Sequence, residues 1–317
     1  MKHAQIDEIL HTLPRPRQVY HYFRDRYALE LLAWACGEGR KIADLKCASE
    51  ARFLQKPAVK AVLSRCGGGT LSALDLQSWW PPDYQTYMLT FGRHGLERKR
   101  SRRECEQISR RGQNLVLKLC LTRAHDAFCK KLLGPERMVH YWSHFSDEGG
   151  LPVLAWTRLD VELDDDEVLI EELQNDWIRD VVRERRHEGP MTPEVWRTGG
   201  KYSWWFGLNR RELERYYAEV IEPHLKIWDE ALLLATLLFV RNELGVRRVY
   251  YHTPSSSNVL KRFSRYWHPP RSLYTELPRR FGFRETLAPP KMVARAAGRR
   301  FDRARREGRV GWFFREL

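Results

Sequence analysis

The sequence predicts an α+β protein, in which a helical N-terminal region precedes a mixed, largely antiparallel sheet with helices. Three observations carry this prediction. Apolar residues recur at helical spacing through roughly the first 135 residues. Three β-rich runs joined by short acidic turns follow, and a long apolar helix and a further strand come after them. We therefore expect a helical basic region at 1–137 and a sheet domain at 138–317, with a helical, aromatic insertion at 178–225.

Two helices are expected near the N-terminus. Ile6, Ile9 and Leu13 recur at helical spacing before Pro14, which cannot continue a helix. The segment 20–36 repeats the helical pattern with an aromatic and leucine face. The start of the chain is therefore expected to be helical.

The sheet domain is expected to begin with three antiparallel strands. The runs VHYWSHF, LPVLAWTRLDVEL and EVLIEELQND are separated by the turns 147–150 and 164–166, which are rich in Asp and Gly. The segment 227–244 is apolar on all sides and ends at Gly245, as a buried helix does. The run VRRVYYHT then predicts a strand, and 255–266 predicts a short helix.

The charge of the chain indicates a polyanionic partner. Its 317 residues include 55 Lys and Arg against 41 Asp and Glu, for a net charge of +14. DNA or RNA is the first candidate partner, and an ordinary solvated basic surface is the alternative. Two segments concentrate the cations in helical patterns, and the first of them continues through Leu115 and Leu119. The candidate phosphate-binding residues are Arg98, Lys99, Arg100, Arg102, Arg103, Arg299, Arg300, Arg303 and Arg306.

Several classes of protein are disfavoured by the composition. The chain has no run of about 18 apolar residues, so a membrane-spanning helix is not expected. Its start lacks the apolar core of a signal peptide, which predicts a cytoplasmic location. The six cysteines form no CxxC pair and have no histidine at zinc-ligand spacing. We predict structural thiols and no metal site.

The element order of the second half resembles the GNAT acyltransferase fold. The resemblance covers roughly residues 138–290 and is carried by the helix-to-strand unit 233–253 and by the turn 281–283, Phe-Gly-Phe. The run IEELQNDW also resembles a signature in domains of phage and mobile-element polyvalent proteins. The GNAT resemblance implies an acyl- or group-transferase that uses a glycine-containing loop to hold the pyrophosphate of acyl-CoA. The matching segment 222–230 has no glycine and carries Asp229 and Glu230, which would repel a phosphate. The sequence therefore does not identify the cofactor.

The candidate site lies on the strand that carries this run. Glu172, Gln174 and Asp176 alternate onto one face of an otherwise apolar strand, where buried polar groups need partners or a task. We expect the strand to lie beside His252, because the resemblance pairs the two segments. Glu172 is then predicted as the base, His252 as the acid or orienting group and Gln174 as a hydrogen-bonding anchor, with Asp176 completing the site.

Two other interpretations of the same acids remain open. Glu172 and Asp176 could instead pair with arginines of the inserted segment and hold it in place. A magnesium-like ion bound by Glu171, Glu172, Asp176 and His252 is a further possibility, although no spacing motif supports it. At the level of function, an atypical group-transferase that acts at a nucleic-acid-associated substrate competes with a non-catalytic nucleic-acid-binding protein.

Overall fold

The fold is organised around one large sheet that runs through both halves of the chain. A computed structural model describes residues 1–13, 17–67, 69–95, 107–137, 139, 147, 149–186, 208–261, 270–296 and 298–317. The strands are β1 (Arg17–Tyr22), β2 (Arg40–Lys41), β3 (Thr70–Leu71), β4 (Gln85–His94), β5 (Asn114–Leu121), β6 (Val153–Glu162), β7 (Glu167–Gln174), β8 (Arg248–His252), β9 (Arg284–Thr286) and β10 (Trp312–Glu316). Among the described residues, eight strands form one sheet in the order β1-β4-β5-β6-β7-β8-β10-β9. The predicted α+β class with a mixed sheet is confirmed.

Helices connect and cover these strands. Among the described residues, 3-10 segments lie at Ser49–Gln55 and Glu222–His224, and π-helical turns lie at Tyr217–Ile221 and Ser272–Glu276. The α-helices are α1 (His3–Thr12), α2 (Arg26–Cys36), α3 (Ile42–Lys46), α4 (Pro57–Leu63), α5 (Ala73–Gln77), α6 (Arg123–Leu133), α7 (Trp177–Arg186), α8 (Arg210–Tyr216), α9 (Trp228–Asn242), α10 (Pro254–Lys261), α11 (Leu277–Arg280), α12 (Lys291–Ala296) and α13 (Arg299–Arg306). In the described residues, no helix has both the length and the apolar content needed to cross a lipid bilayer.

The prediction that residues 1–137 are all helical is wrong. Strands β1, β4 and β5 come from this region, and β5 pairs with β6 across the expected boundary at residue 137. All eight residues of β5 are buried, so the strand lacks the alternation that marks a half-exposed strand. Leu115 and Leu119 therefore fit a helical spacing and a buried strand equally well.

The long apolar helix of the second half forms where the sequence predicts it. α9 packs against β5, β6 and β7 on one face of the sheet and against α2 on its other side. The side chains of α9 are apolar around most of the helix because it packs against both the sheet and α2. Gly245 follows it with a φ of 66°, a left-handed conformation that suits glycine at the end of a helix.

The opposite face of the sheet at β7, β8 and β10 is covered by α10, α12 and α13. Met292 and Phe301 from the C-terminal helices form a small core with Leu169, Tyr250 and Trp312 from the strands. The sheet is thus enclosed on both faces at β7 and β8.

Candidate functional site at the ends of strands β7 and β8

Strands β7 and β8 run parallel, and their pairing ends before β7 does. It runs from Glu167 opposite Arg248 to Ile170 opposite Tyr251, and β8 ends at His252. Beyond this point β7 continues to Gln174, while β6 still pairs with its other edge. The final residues of β7, from Glu172 onward, line a cleft.

Glu171 points to the face covered by α10 and belongs to a buried polar cluster. Its carboxylate receives hydrogen bonds from the Ser109 backbone N–H and hydroxyl, both at 2.9 Å. His252 Nε2 lies 3.2 Å from Glu171 Oε2 and 2.8 Å from Ser109 Oγ, and His252 Nδ1 lies 2.9 Å from Ser256 Oγ. The Lys261 ammonium donates to the carbonyl oxygen of Glu171 and lies 3.5 Å from its Oε2. We call these five residues the buried cluster.

The charges of the buried cluster compensate one another. Burial alone would raise the pKa of Glu171, but the Lys261 ammonium and the hydrogen bond from His252 hold this pKa far below its usual range. Burial lowers the pKa of His252 to about 4 despite the opposing effect of Glu171. Burial also lowers the pKa of Lys261, again against the effect of Glu171. The cluster is thus an ion pair of Lys261 and Glu171 beside a neutral imidazole.

The predicted contact between Glu172 and His252 is not formed. His252 instead meets Glu171, whereas Glu172 meets Arg158 and lines the cleft described below. The register between β6 and β7 shifts here, so that Glu171 has no partner on β6 and simple alternation along β7 does not hold. Within the described residues, the metal-ligand set considered from the sequence does not come together as one group.

Glu172 and Asp176 each pair with an arginine. Arg158 on β6 donates from Nε to Glu172 Oε2 at 2.7 Å, and its Nη2 donates to the carbonyl oxygen of Gln107 at 3.0 Å. Asp176 receives a hydrogen bond from Gln174 Nε2 at 2.8 Å and forms an ion pair with Arg179. The interpretation that arginines of the inserted segment pair with these acids therefore holds for Asp176, whose partner Arg179 lies at the start of 178–225. It fails for Glu172, whose partner Arg158 belongs to the sheet.

The pairing with Arg158 determines the protonation of Glu172. Burial would raise the pKa of Glu172, but the adjacent guanidinium group lowers it below its usual value. The carboxylate is therefore ionised at neutral pH and accepts a proton less readily than an unperturbed one. It can orient a cationic group more readily than it can act as a general base.

A cleft lies beside Glu172, beyond the last pair of β7 and β8. It has a volume of about 580 Å³ and lies between the end of β7, the start of α9 and the segment that follows Pro270. The side chain of Glu172 is 12% exposed at this cleft. The residues lining it are Arg24, Glu172, Leu173, Gln174, Asn175, Arg179, Leu225, Lys226, Trp228, Asp229, Pro270, Ser272, Leu273, Tyr274 and Arg280.

The start of α9 carries its own acids. Arg280 lies 3.1 Å from Asp229 and 2.6 Å from Glu230, and the Tyr22 hydroxyl donates to Glu230 at 3.0 Å. These carboxylates lie in the first turn of α9, where they stabilise the positive end of the helix dipole. A phosphate at this helix end would be repelled by both of them.

The predicted phosphate-binding residues fall in two places. Arg299, Arg303 and Arg306 lie on α13, where Arg303 and Arg306 are exposed and Arg303 pairs with Glu307 at 2.9 Å. The side chain of Arg300 lies outside the described residues. So do the residues of the first basic segment, Arg98, Lys99, Arg100, Arg102 and Arg103.

Sequence reasoning missed several residues of this region. Ser109, Lys261 and Arg158 were not selected, although each contacts one of the two glutamates. Their partners lie between 14 and 90 positions away along the chain, so no local spacing marks them. Within the described ranges, no three His, Cys, Asp or Glu side chains are grouped so that they could hold a metal ion.

Comparison of the chain with protein-family models, with curated proteins and with solved structures found no match. The resemblance to the GNAT fold therefore stays a prediction.

Proposed function

We propose that this protein is an atypical group-transferase of GNAT-like type, which holds an extended anionic donor in the cleft beside the end of β7. The observation that carries the proposal is a cleft of ligand size that is lined by the end of β7, beyond its last pair with the parallel strand β8. Within the span of the resemblance, the strands β6 and β7, the buried helix α9, the parallel strand β8 and the helix α10 follow one another in the expected order. The first expected strand, VHYWSHF, lies outside the described residues apart from Val139.

Exposed cations at the cleft favour an anionic donor such as an acyl-CoA. Arg24 and Lys226 line the cleft, are exposed, and form no ion pair with the described residues. They are available to neutralise phosphate groups. Because Asp229 and Glu230 occupy the start of α9, the phosphates would be held by side chains and not by the helix end. This arrangement suits a donor site without the glycine-containing loop.

Glu172 is the carboxylate best placed to act on an acceptor in this cleft. In acyl transfer from a thioester, an amine or hydroxyl of the acceptor attacks the carbonyl carbon, the carbon–sulfur bond breaks, and the acceptor loses a proton. Glu172 can accept a hydrogen bond from the neutral amine or hydroxyl of the acceptor and hold it in position. The proton that the acceptor loses passes to water in the cleft, and the departing thiolate takes up a proton from water. His252 lies in the buried cluster and does not line the cleft. Glu172 thus becomes an orienting group in place of the predicted base.

Reversing the two unpaired cations of the cleft is expected to weaken donor binding. The double variant Arg24→Glu and Lys226→Glu should bind acetyl-CoA at least about tenfold more weakly, because two favourable contacts with phosphate become repulsive. Isothermal titration calorimetry measures this change. The matched control is Lys60→Glu with Arg65→Glu, which reverses two exposed cations that do not line the cleft. Absence of heat with any acyl-CoA at millimolar concentration would remove the acyl-CoA donor.

A second candidate function is supported by the surface of α13. Phe301 and Ala304 anchor this helix in the small core, while Arg303, Arg305 and Arg306 project to solvent. An amphipathic helix with an arginine face is suited to following a phosphate backbone. The alternative is therefore a nucleic-acid-binding protein that carries out no chemistry.

This alternative predicts a salt-dependent loss of duplex binding in α13 variants. Arg303→Glu combined with Arg306→Glu should reduce the slope of log K against log salt by about 2, because each duplex phosphate contact contributes about 0.9. Fluorescence anisotropy with a short DNA duplex at several salt concentrations measures the slope. An affinity that does not fall as salt rises would reject a phosphate-led interaction.

A further inference from the structure

A second groove adjoins the cleft and extends it along α7. Its volume is about 430 Å³. It shares Asn175, Arg179, Leu225 and Trp228 with the cleft, so the two form one continuous path. The residues that line it are Asn175, Ile178, Arg179, Val182, Arg183, Arg186, Leu225 and Trp228. A ligand in this groove would lead directly to the end of β7 and to Glu172.

One wall of the groove is a row of arginines on α7. Arg179, Arg183 and Arg186 follow one another at helical spacing on one side of the helix. They lie roughly 6 Å and 4.5 Å apart along the helix axis, given a rise of about 1.5 Å per residue. Buried carboxylates of Asp176 and Asp180 pair with Arg179 and Arg183, whereas Arg186 forms no ion pair with the described residues. The wall therefore presents positive charge to an extended anion.

Asn175 offers an unsatisfied donor where the groove meets the cleft. Its Oδ1 accepts a hydrogen bond from the Ile178 backbone N–H at 2.8 Å, which caps the start of α7. This bond determines the orientation of the amide. Asn175 is only 7% exposed, and its Nδ2 is buried without a hydrogen-bond partner among the described residues. A buried donor without an acceptor costs free energy, and the residue that carries it lines both the cleft and the groove.

The floor of the groove is apolar. Ile178, Val182 and Leu225 surround the partly exposed ring of Trp228. Nucleobases stack on such rings whatever their sequence, and they carry the phosphates that an arginine wall neutralises. An acidic peptide would meet the arginines but would offer no flat aromatic face to the floor. The limited volume favours a single strand over a duplex.

We propose that this groove binds single-stranded nucleic acid, with phosphates along Arg179, Arg183 and Arg186, a base against Trp228 and the strand directed into the cleft. The inference deepens the proposed function, because it names nucleic acid as the class of acceptor. It rests on the proposed function only for the transfer reaction. Binding of the strand needs no donor. It can therefore be measured separately from transfer.

The first test is fluorescence anisotropy with labelled single-stranded DNA and RNA oligonucleotides in the absence of any donor. The wild-type protein is expected to show a slope of log K against log salt of about −2, because three single-strand phosphate contacts contribute about 0.7 each. Arg183→Glu with Arg186→Glu should weaken binding at least about tenfold and flatten the slope by more than 1. The matched pair Lys60→Glu and Arg65→Glu should change the affinity less than about twofold.

Two further variants test the groove without reversing the arginines. Asn175→Asp keeps the oxygen that caps α7 but replaces the free donor by an anion, so the helix should be retained and binding weakened. Trp228→Leu should weaken binding about fivefold or more through loss of stacking. Thermal unfolding of each variant shows whether the fold is intact.

The proposal is overturned if both pairs of charge reversals weaken binding equally, since the effect would then come from overall charge. It is also overturned if a duplex binds more tightly than the single strand, or if a polyglutamate peptide competes as well as an oligonucleotide. Strand binding with no heat from acyl-CoA would leave the groove in place and remove only the acyl-CoA donor. DNA and RNA oligonucleotides of the same sequence distinguish the two kinds of strand.

Discussion

Replacing Lys261 by methionine is expected to lower the free energy of unfolding by about 3 to 5 kcal/mol. Methionine has a similar length but no charge, so the Glu171 carboxylate would remain buried without its cation. The carbonyl oxygen of Glu171 would also lose the hydrogen bond from Lys261. Ser109 and His252 still contact the carboxylate, but neither carries a positive charge at neutral pH. Urea unfolding of the purified variant measures the loss.

A double variant separates the charge from the packing. Lys261→Met combined with Glu171→Gln removes both charges, and the glutamine can still hydrogen-bond to Ser109. The double variant is expected to recover more than half of the loss, and a double-mutant cycle gives the coupling energy. Lys60→Met, at an exposed position of α4, serves as the control and should cost less than about 0.5 kcal/mol. A loss below about 1 kcal/mol in Lys261→Met would contradict the ion pair.

Acidification from pH 6.5 to 4 is expected to destabilise the fold by about 3 kcal/mol through His252 alone, since one pKa unit corresponds to about 1.4 kcal/mol. Burial lowers the pKa of His252 from 6.5 to about 4, so in this window the unfolded chain binds a proton that the folded protein does not. Stability therefore rises with pH between these values. The lowered pKa of Glu171 contributes in the same direction, but only below its ordinary value of 4.5.

The histidine contributions can be separated by substitution. His252→Gln should be less stable at neutral pH and should lose part of the acid dependence of urea unfolding. His224, whose pKa burial also lowers to about 4, keeps its own contribution in this variant. His11→Gln, at an exposed position, controls for the substitution itself. If His252→Gln and the wild-type protein showed the same change between pH 6.5 and 4, a neutral buried His252 would be ruled out.

The candidate site illustrates how register controls chemistry. The polar run of β7 and its neighbour β8 were both predicted from their sequences, yet the predicted pair was Glu172 with His252. The register between β6 and β7 shifts at this point, so that Glu172 lies opposite Arg158 and Glu171 has no partner on β6. Glu171 meets Lys261 and His252 in the buried cluster, and Glu172 pairs with Arg158 and lines the cleft.

Local patterns were sufficient for the α+β class, for the helix α9 and for the strands β7 and β8, because periodicity and end signals act over a few neighbouring residues. They failed for β5, where burial on both faces removes the alternation that identifies a strand. Tertiary structure alone decided which acid meets His252, that Ser109 and Lys261 complete the buried cluster, and that α7 extends the cleft. Those contacts join residues far apart in the chain, and their geometry follows from packing and strand register, which no short stretch of sequence encodes.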